Sequence, residues 1–156
     1  MRTRTIATGL TVAMLAAFEG YRQIDYRDPV GVPTACFGST ASAIVGTRRT
    51  IEGCEDLLFD DVRAYQQQVL RNTEVDINDN QLAALTSFVY NVGEGAYRSS
   101  TLLKKLNAGK YDEACRELPR WVYGTMPGTG IKVQLGGLVK RRQREMEICL
   151  SDPLFQ

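Results

Sequence analysis

The chain of 156 residues is 44% apolar, 24% charged and 8% aromatic, the profile of one compact globular domain and not of a disordered, collagenous or polytopic membrane protein. Nineteen Lys and Arg against eighteen Asp and Glu leave a net charge of +1, so no global field recruits nucleic acid or an anionic membrane. There is no histidine, which excludes Ser-His-Asp and Cys-His hydrolases, His-containing zinc sites and imidazole pH switches, and leaves acid–base chemistry chiefly to carboxylates.

Arg2 and Arg4 precede an uncharged run from Ile6 to Phe18 that imitates a signal sequence. As a helix the run extends roughly 20 Å, short of the ~30 Å hydrocarbon core of a bilayer. Ile6, Leu10, Ala13, Met14 and Ala17 fall on one helical face and predict a packed amphipathic first helix. From Asp25 to Phe37 the pattern predicts a hairpin. Asp28-Pro29-Val30-Gly31 has the preferences of a type I turn, and Val32 to Phe37 is the returning strand. Thr50 is placed to cap a long helix running to about Arg71, with Ile51, Cys54, Leu57, Leu58, Asp61, Val62 and Tyr65 as its stripe.

Asn78 and Gln81 have capping-box spacing ahead of Leu82, Leu85, Phe88 and Val89, and Gly93 and Gly95 end that helix. A helix beginning near Ser99 or Ser100 carries Leu102, Leu103 and Leu106 and stops at Gly109. A short one spans Tyr111 to Leu118 before Pro119, Tyr123 to Gly130 reads as a loop, and a last helix runs from about Gln134 to Leu150. The expectation is an α+β, mostly α protein, a small hairpin module followed by a helical bundle in a single domain over residues 1–156.

Cys36, Cys54, Cys115 and Cys149 never form Cys-x-x-Cys, so ribbon-type zinc sites and thioredoxin motifs are poor readings. Two disulfides in an oxidising compartment compete with four buried thiols. Of three possible pairings, the sequence-local one, Cys36 with Cys54 and Cys115 with Cys149, is expected, each bond worth about 3 kcal/mol. No residue set suggests a metal or a cofactor, and no phosphate-cradling glycine motif is present.

Chemistry concentrates where the first helix meets the hairpin. Glu19 sits at the helix C-terminus beside Phe18, where the dipole and partial burial both oppose ionisation. Asp28 opens a turn whose backbone N–H groups can keep it charged. Two carboxyls pushed in opposite directions suit an acid/base pair, and Thr34 on the returning strand can aim its hydroxyl at the same space. Lys132, Lys140, Arg141, Arg142 and Arg144 read either as a solvated basic face of the last helix or as a source of one arginine, Arg141 or Arg142, that reaches Glu19. Trp121 reads as a core anchor before a sugar platform. Tyr26 and Phe37 read first as hairpin packing, and Asn91 and Ser99 can line a cleft or serve as caps.

Glu19, Asp28 and Thr34, set in FEGYRQIDYRDPVGVPTACFG, resemble the catalytic signature of the phage-type lysozymes, glycoside hydrolase family 24, which include phage endolysins. QLAALTSFVYNVGEGAYRSSTLLKKLNAGKYDEAC and GLVKRRQREMEICL are similar to that family's helical segments, particularly in its secreted or signal-anchored branch. The resemblance covers the chain from about Thr5 to Leu150. It implies a two-lobed fold, with a hairpin lobe over about residues 20–50 facing a helical lobe over about residues 75–150 that includes the N-terminal helix. Between them a cleft would take a peptidoglycan glycan strand for cleavage of the β-1,4 bond between N-acetylmuramic acid and N-acetylglucosamine, lysing a bacterial host.

Carried over, Glu19 is the general acid, Asp28 stabilises charge or activates water, and Thr34 positions that water, with inversion the expected outcome. Tyr26, Asn91, Ser99, Arg141 and Arg142 are the candidate substrate contacts. The resemblance implies a monomer acting in the host periplasm, with the host cytoplasm as the alternative location before release. Its first helix is shorter than a full signal anchor, so export rests on an upstream anchor or on a holin-type pore. One departure stands out: Gly38-Ser39-Thr40 replaces the family's frequent Gly-His-Thr. A glycan-binding module of the same fold that does not cut is the alternative, and the joint presence of Glu19, Asp28 and Thr34 opposes it. A nucleic-acid binder using the basic last helix is opposed by the near-neutral charge.

Overall fold

The computed structural model describes residues 2–28, 31–40, 42–126 and 128–152, with side chains from residue 7 onward. Helix α1 (Arg2–Glu19) leads into an antiparallel hairpin of β1 (Arg22–Arg27) and β2 (Pro33–Cys36), in which Tyr26 stands opposite Thr34. Helix α2 (Ile51–Asn72) crosses to a bundle of α3 (Asp79–Val92), α4 (Glu94–Ser99), α5 (Thr101–Asn107) and α6 (Tyr111–Cys115). A 3-10 turn (Leu118–Arg120), a second hairpin of β3 (Tyr123–Thr125) and β4 (Lys132–Gln134), and helix α7 (Gly136–Leu150) complete the chain. The α+β, mostly helical architecture is the expected one. Among the described residues no helix is long and apolar enough to cross a membrane.

Two apolar cores explain the arrangement. The larger gathers Leu82, Leu85, Phe88 and Val89 of α3 with Leu102, Leu106, Leu118 and Ile148. The smaller packs Ala35, Cys36 and Phe37 of the first hairpin against Cys54, Leu58 and Val62 of α2. Helix α1 belongs to both, sending Met14 into the first and Leu15 into the second. Helix α2 does the same, with Val62 in the smaller core and Val69 in the larger. A residue at the end of α1 is thereby carried to the seam between the cores. The disulfides Cys36–Cys54 and Cys115–Cys149 pair as expected and staple one core each, closing separations of 18 and 34 residues.

The helix signals that are local in sequence hold. Thr50 caps α2 through Gly53 N–H at 3.0 Å, and Asn78 with Gln81 forms both halves of the capping box on α3. Gly93 ends α3 at φ +89°, a conformation open to glycine at little cost. In the first turn Gly31 N–H reaches Asp28 C=O at 2.9 Å, the closure expected of a β-turn, while Pro29 and Val30 lie outside the described residues.

Several expectations need correction. The buried face of α1 is Ala7, Thr8, Thr11, Met14 and Leu15, whereas Ala13 and Ala17 are exposed and the Ile6 side chain lies outside the described residues. Both threonines can be buried because their hydroxyls are bonded, Thr11 to Ala7 C=O at 2.7 Å and Thr8 to Gln66 of α2. Ile51 is exposed. Helix α4 was not expected, since two glycines in three residues read as a stop; only Gly93 adopts positive φ, and Tyr97 buries itself and meets Thr73 at 2.8 Å. Helix α6 ends at Cys115, and Pro119 sits inside the 3-10 turn that follows. The loop expected over Tyr123 to Gly130 begins with β3, and Lys132 lies on β4, outside α7, which starts at Gly136. Gly124 of β3 lies under the Leu135 side chain, whose Cδ1 would stand 2.7 Å from a Cβ there.

The first hairpin is fastened to the loop before α2 by Asp25, which is 2% exposed. Its carboxylate accepts from Arg49 Nε and Nη2 at 2.6 and 2.7 Å and from Ile44 N–H at 2.9 Å. The Arg49 hydrogen bonds hold the Asp25 carboxyl below its ordinary value of 3.8 against the upward push of burial. A lowered folded-state pKa stabilises above the unfolded pKa and is lost as pH falls through the lower, folded value. Urea midpoints of the protein are therefore expected to fall between about pH 5 and about pH 3, with Asp25→Asn showing a smaller acid-dependent drop over the same window.

Candidate active site

Helix α1 delivers Glu19 to the seam and stops there, since Gly20 at φ +68° turns the chain out of the helix. The Glu19 side chain is one quarter exposed, and its Oε1 accepts a hydrogen bond from Arg141 Nη1 of α7. The same guanidinium lies 5.0 Å from the Phe18 ring centroid. Oε2 borders the tight turn after β2, where a Cβ placed on Gly38 would lie 3.7 Å from it and 3.4 Å from Tyr90 Oη. Gly38 has φ +105°, a backbone conformation that favours glycine there.

Arg141 is itself held. Its Nε donates to Glu145 Oε1 at 3.2 Å and its Nη2 to Ser87 C=O at 3.1 Å. Arg142 donates through Nη1 to Glu145 Oε1 and Oε2 at 2.9 and 2.7 Å, through Nε to Trp121 C=O at 3.0 Å, and through Nη2 to Asn91 Oδ1. Ser87 Oγ completes the set with 2.8 Å to Glu145 Oε1. Glu145 and Arg142 have no exposed surface and Arg141 is 6% exposed. Burial pushes the Glu145 carboxyl up while the guanidinium groups of Arg142 and Arg141 pull it back, and burial lowers Arg142. These are not a solvated basic face. Only Lys140 and Arg144 of the helix's cations follow that reading, both being exposed.

On the hairpin side a single residue links the other two candidates. Val32 N–H donates to Asp28 Oδ1 at 2.8 Å, and Val32 C=O accepts from Thr34 Oγ1 at 3.0 Å. Thr34 is 4% exposed. Tyr26, its partner across the ladder, lies under the Arg22 guanidinium at 4.4 Å from the ring centroid. Phe37 is buried and packs against Tyr21 at 5.5 Å, as hairpin packing predicts.

The structure thus joins Glu19 with Arg141 and Asn91 with Arg142. It leaves Ser99 apart on α4, its hydroxyl donating to Gly95 and Ala96 carbonyls at 3.1 and 3.4 Å, beside a different hollow formed with Arg98 and Lys104. Trp121 packs edge-on to Phe88 at 5.2 Å, a core role. Sequence reasoning missed Glu145 and Ser87, which orient both arginines, and Tyr90, whose hydroxyl donates to Phe37 C=O at 3.2 Å. The spacing of Glu145 four residues after Arg141 and three after Arg142 was the available signal. Among the described residues no cluster of carboxylates or thiols is arranged to hold a metal ion.

Residues 16–145 match the sequence profile of the phage lysozyme family. A SAR-endolysin of Pseudomonas phage phiKMV is 39% identical over 148 residues, covering 95% of this chain and 91% of that relative. Among solved structures, the endolysin of Escherichia coli O157:H7 phage FAHEc1 superposes with a TM-score of 0.82 at 30% identity, over 90% of either chain. The muramidase domain of SpmX from Asticaccaulis excentricus gives 0.85 at 30% identity, over 91% of this chain and 95% of that one.

Replacing Glu145 by Gln keeps the shape of the site but strips the compensating charge from two enclosed guanidinium groups. Glu145→Gln is expected to lose about 3 kcal/mol of unfolding free energy, read from urea denaturation, where an exposed pair such as Arg144–Glu147 is worth at most about 1 kcal/mol.

Proposed function

The chain belongs to the phage lysozyme family, and on that footing we propose that Glu19, Asp28 and Thr34 are the groups with which it cleaves peptidoglycan. It is a glycoside hydrolase of phage host lysis, a muramidase cutting the β-1,4 bond between N-acetylmuramic acid and N-acetylglucosamine. The observation that carries the assignment of the acid is the grip of Arg141 on one oxygen of Glu19, with the other oxygen left on the side of the first hairpin.

In this reading Glu19 protonates the leaving glycosidic oxygen through Oε2. The carboxylate that remains already faces the Arg141 guanidinium, so charge created at this step is met by a partner that need not move. Asp28 receives the opposite task, its carboxylate oriented by Val32 N–H. The Thr34 hydroxyl spends its proton on Val32 C=O and can meet a water only as an acceptor. A water donating one hydrogen to Thr34 and the other to Asp28 keeps a lone pair for the sugar carbon. That arrangement leads to inversion. Tyr26 supplies ring surface and Asn91, its Oδ1 taken by Arg142, offers its amide N–H groups to the glycan.

We place the activity in the host periplasm, reached through an N-terminal anchor or a holin-type pore, and the protein acts there as a monomer. Two disulfides suit that oxidising compartment, as does the likeness to proteins named SAR-endolysins.

Purified sacculi digested with the protein are expected to yield new muramic-acid reducing ends, initially of the α anomer if inversion is right. Glu19→Gln should lower the rate roughly 10³-fold with the fold intact. Equal rates for the two proteins would remove Glu19 from its role, and if neither releases reducing ends while both bind sacculi, a non-cutting glycan-binding module is the better description.

A further inference from the structure

Behind the Glu19 oxygen that borders Gly38 lies a hollow of about 370 Å³ for which the cleavage chemistry above has no use. The turn after β2 contributes Gly38 and Ser39, α2 contributes Asp61, Tyr65 and Gln68, and α3 contributes Tyr90. Gln68 Oε1 is a buried side-chain oxygen with no hydrogen-bond partner, and the hydroxyl of Ser39, 4% exposed, meets only the Asp61 carboxyl. Native proteins leave few such atoms unpaired, and acceptors facing one hollow mark a place suited to receive donors.

The remaining lining says which donors. Among the described residues no lysine or arginine borders the hollow. The Asp61 carboxyl is pushed up by burial and by neighbouring Asp60, with the Ser39 hydroxyl acting in the other direction. Tyr65 and Tyr90 stand with ring centroids 4.9 Å apart, and burial followed by the Asp61 charge raises both phenols, so they stay neutral hydroxyls. A carboxylate ligand would be repelled by Asp61. An apolar ligand would leave Gln68 Oε1 unpaired. A primary ammonium ion brings N–H donors, one positive charge and an affinity for aromatic rings, which matches Ser39 Oγ and Gln68 Oε1 as acceptors, the Asp61 carboxylate and two tyrosines.

We propose that this hollow is a recognition site for a primary ammonium group, with Asp61 taking its charge and Ser39 Oγ and Gln68 Oε1 accepting its N–H bonds. The identity of the ligand rests on the muramidase reading, since in peptidoglycan such a group has two sources. One is the free amine of a diamino acid in the stem peptide, the other the C2 amine of a de-N-acetylated glucosamine. Because Gly38 lines the hollow and adjoins Glu19 Oε2, an amine seated there fixes its strand beside the bond to be cut.

The test is a binding titration of ¹⁵N-labelled protein, read at the backbone amides of Ser39, Thr40, Asp61 and Gln68. The probes are a stem tripeptide with a free diamino-acid amine, a glucosamine tetramer, and the N-acetylated form of each. At least one free-amine probe is expected to bind about tenfold more tightly than its acetylated form, and Asp61→Asn to erase that preference. Should Asp61→Asn fold poorly, Gln68→Met serves, with about a threefold loss expected. Preference in the tripeptide arm alone assigns the site to stem peptide, and in the sugar arm alone to deacetylated glycan. Equal binding of free and acetylated probes, absence of any shift at these amides, or a preference that survives both substitutions overturns the proposal and leaves a hollow that holds water. The readout is binding, so failure here is separate from failure of the bond-cleavage reading, which the reducing-end assay decides.

Discussion

The Arg141 guanidinium is the joint on which the site depends. It spans a partly exposed carboxylate, Glu19, and an enclosed one, Glu145, and it touches the Ser87 carbonyl between them. An isolated guanidinium so deeply buried would be expensive; here every direction in which it points ends on oxygen or on the Phe18 ring. The second arginine makes the first possible. Arg142 neutralises Glu145 from the other side and runs on to Asn91 and the Trp121 carbonyl, so that α3, α7 and the turn before β3 are locked around one charge cluster.

That cluster explains why an acid can reside at the end of a helix whose dipole disfavours a negative charge. Helix α1 has no basic residue in its last turn. The compensating cation comes from the far end of the sequence, 122 residues away. The folding of the helical core is therefore a condition for the chemistry of a residue that sits next to the hairpin, and the two cores are coupled through α1 because Met14 and Leu15 are adjacent in sequence but packed in different clusters.

Much of this was legible in the sequence where the cause is local. Thr50, Asn78 and Gln81 act through bonds three residues away, and the Asp28 turn closes on itself. The family resemblance carried by the segment around Glu19, Asp28 and Thr34 was likewise visible, and the chain belongs to that family. What escaped was set by distant partners. Thr8 and Thr11 count as polar in any pattern, yet Gln66 and the Ala7 carbonyl let them face inward, turning α1 away from its expected face. The basic run of α7 could be read as solvated or as a source of an arginine for Glu19, because nothing near it in sequence shows that Ser87, Asn91 and the Trp121 carbonyl converge on it. The hairpin of β3 and β4 has three-residue strands, too short for a period of two to register.

One consequence follows from how the carboxylates are mounted. Glu19 is clamped through Arg141 to α7 and moves with the bundle, whereas Asp28 and Thr34 share the backbone of Val32 and ride with the small sheet. Helices α1 and α2 carry apolar side chains into both cores, and Tyr90 of α3 reaches from the bundle to the smaller one. Bending of α1 or α2 would shift Asp28 and Thr34 relative to the bundle, and with them the turn at Gly38 that borders Glu19. How far the two sides stand apart is thus decided by how α1 and α2 seat themselves in both cores, away from either carboxylate.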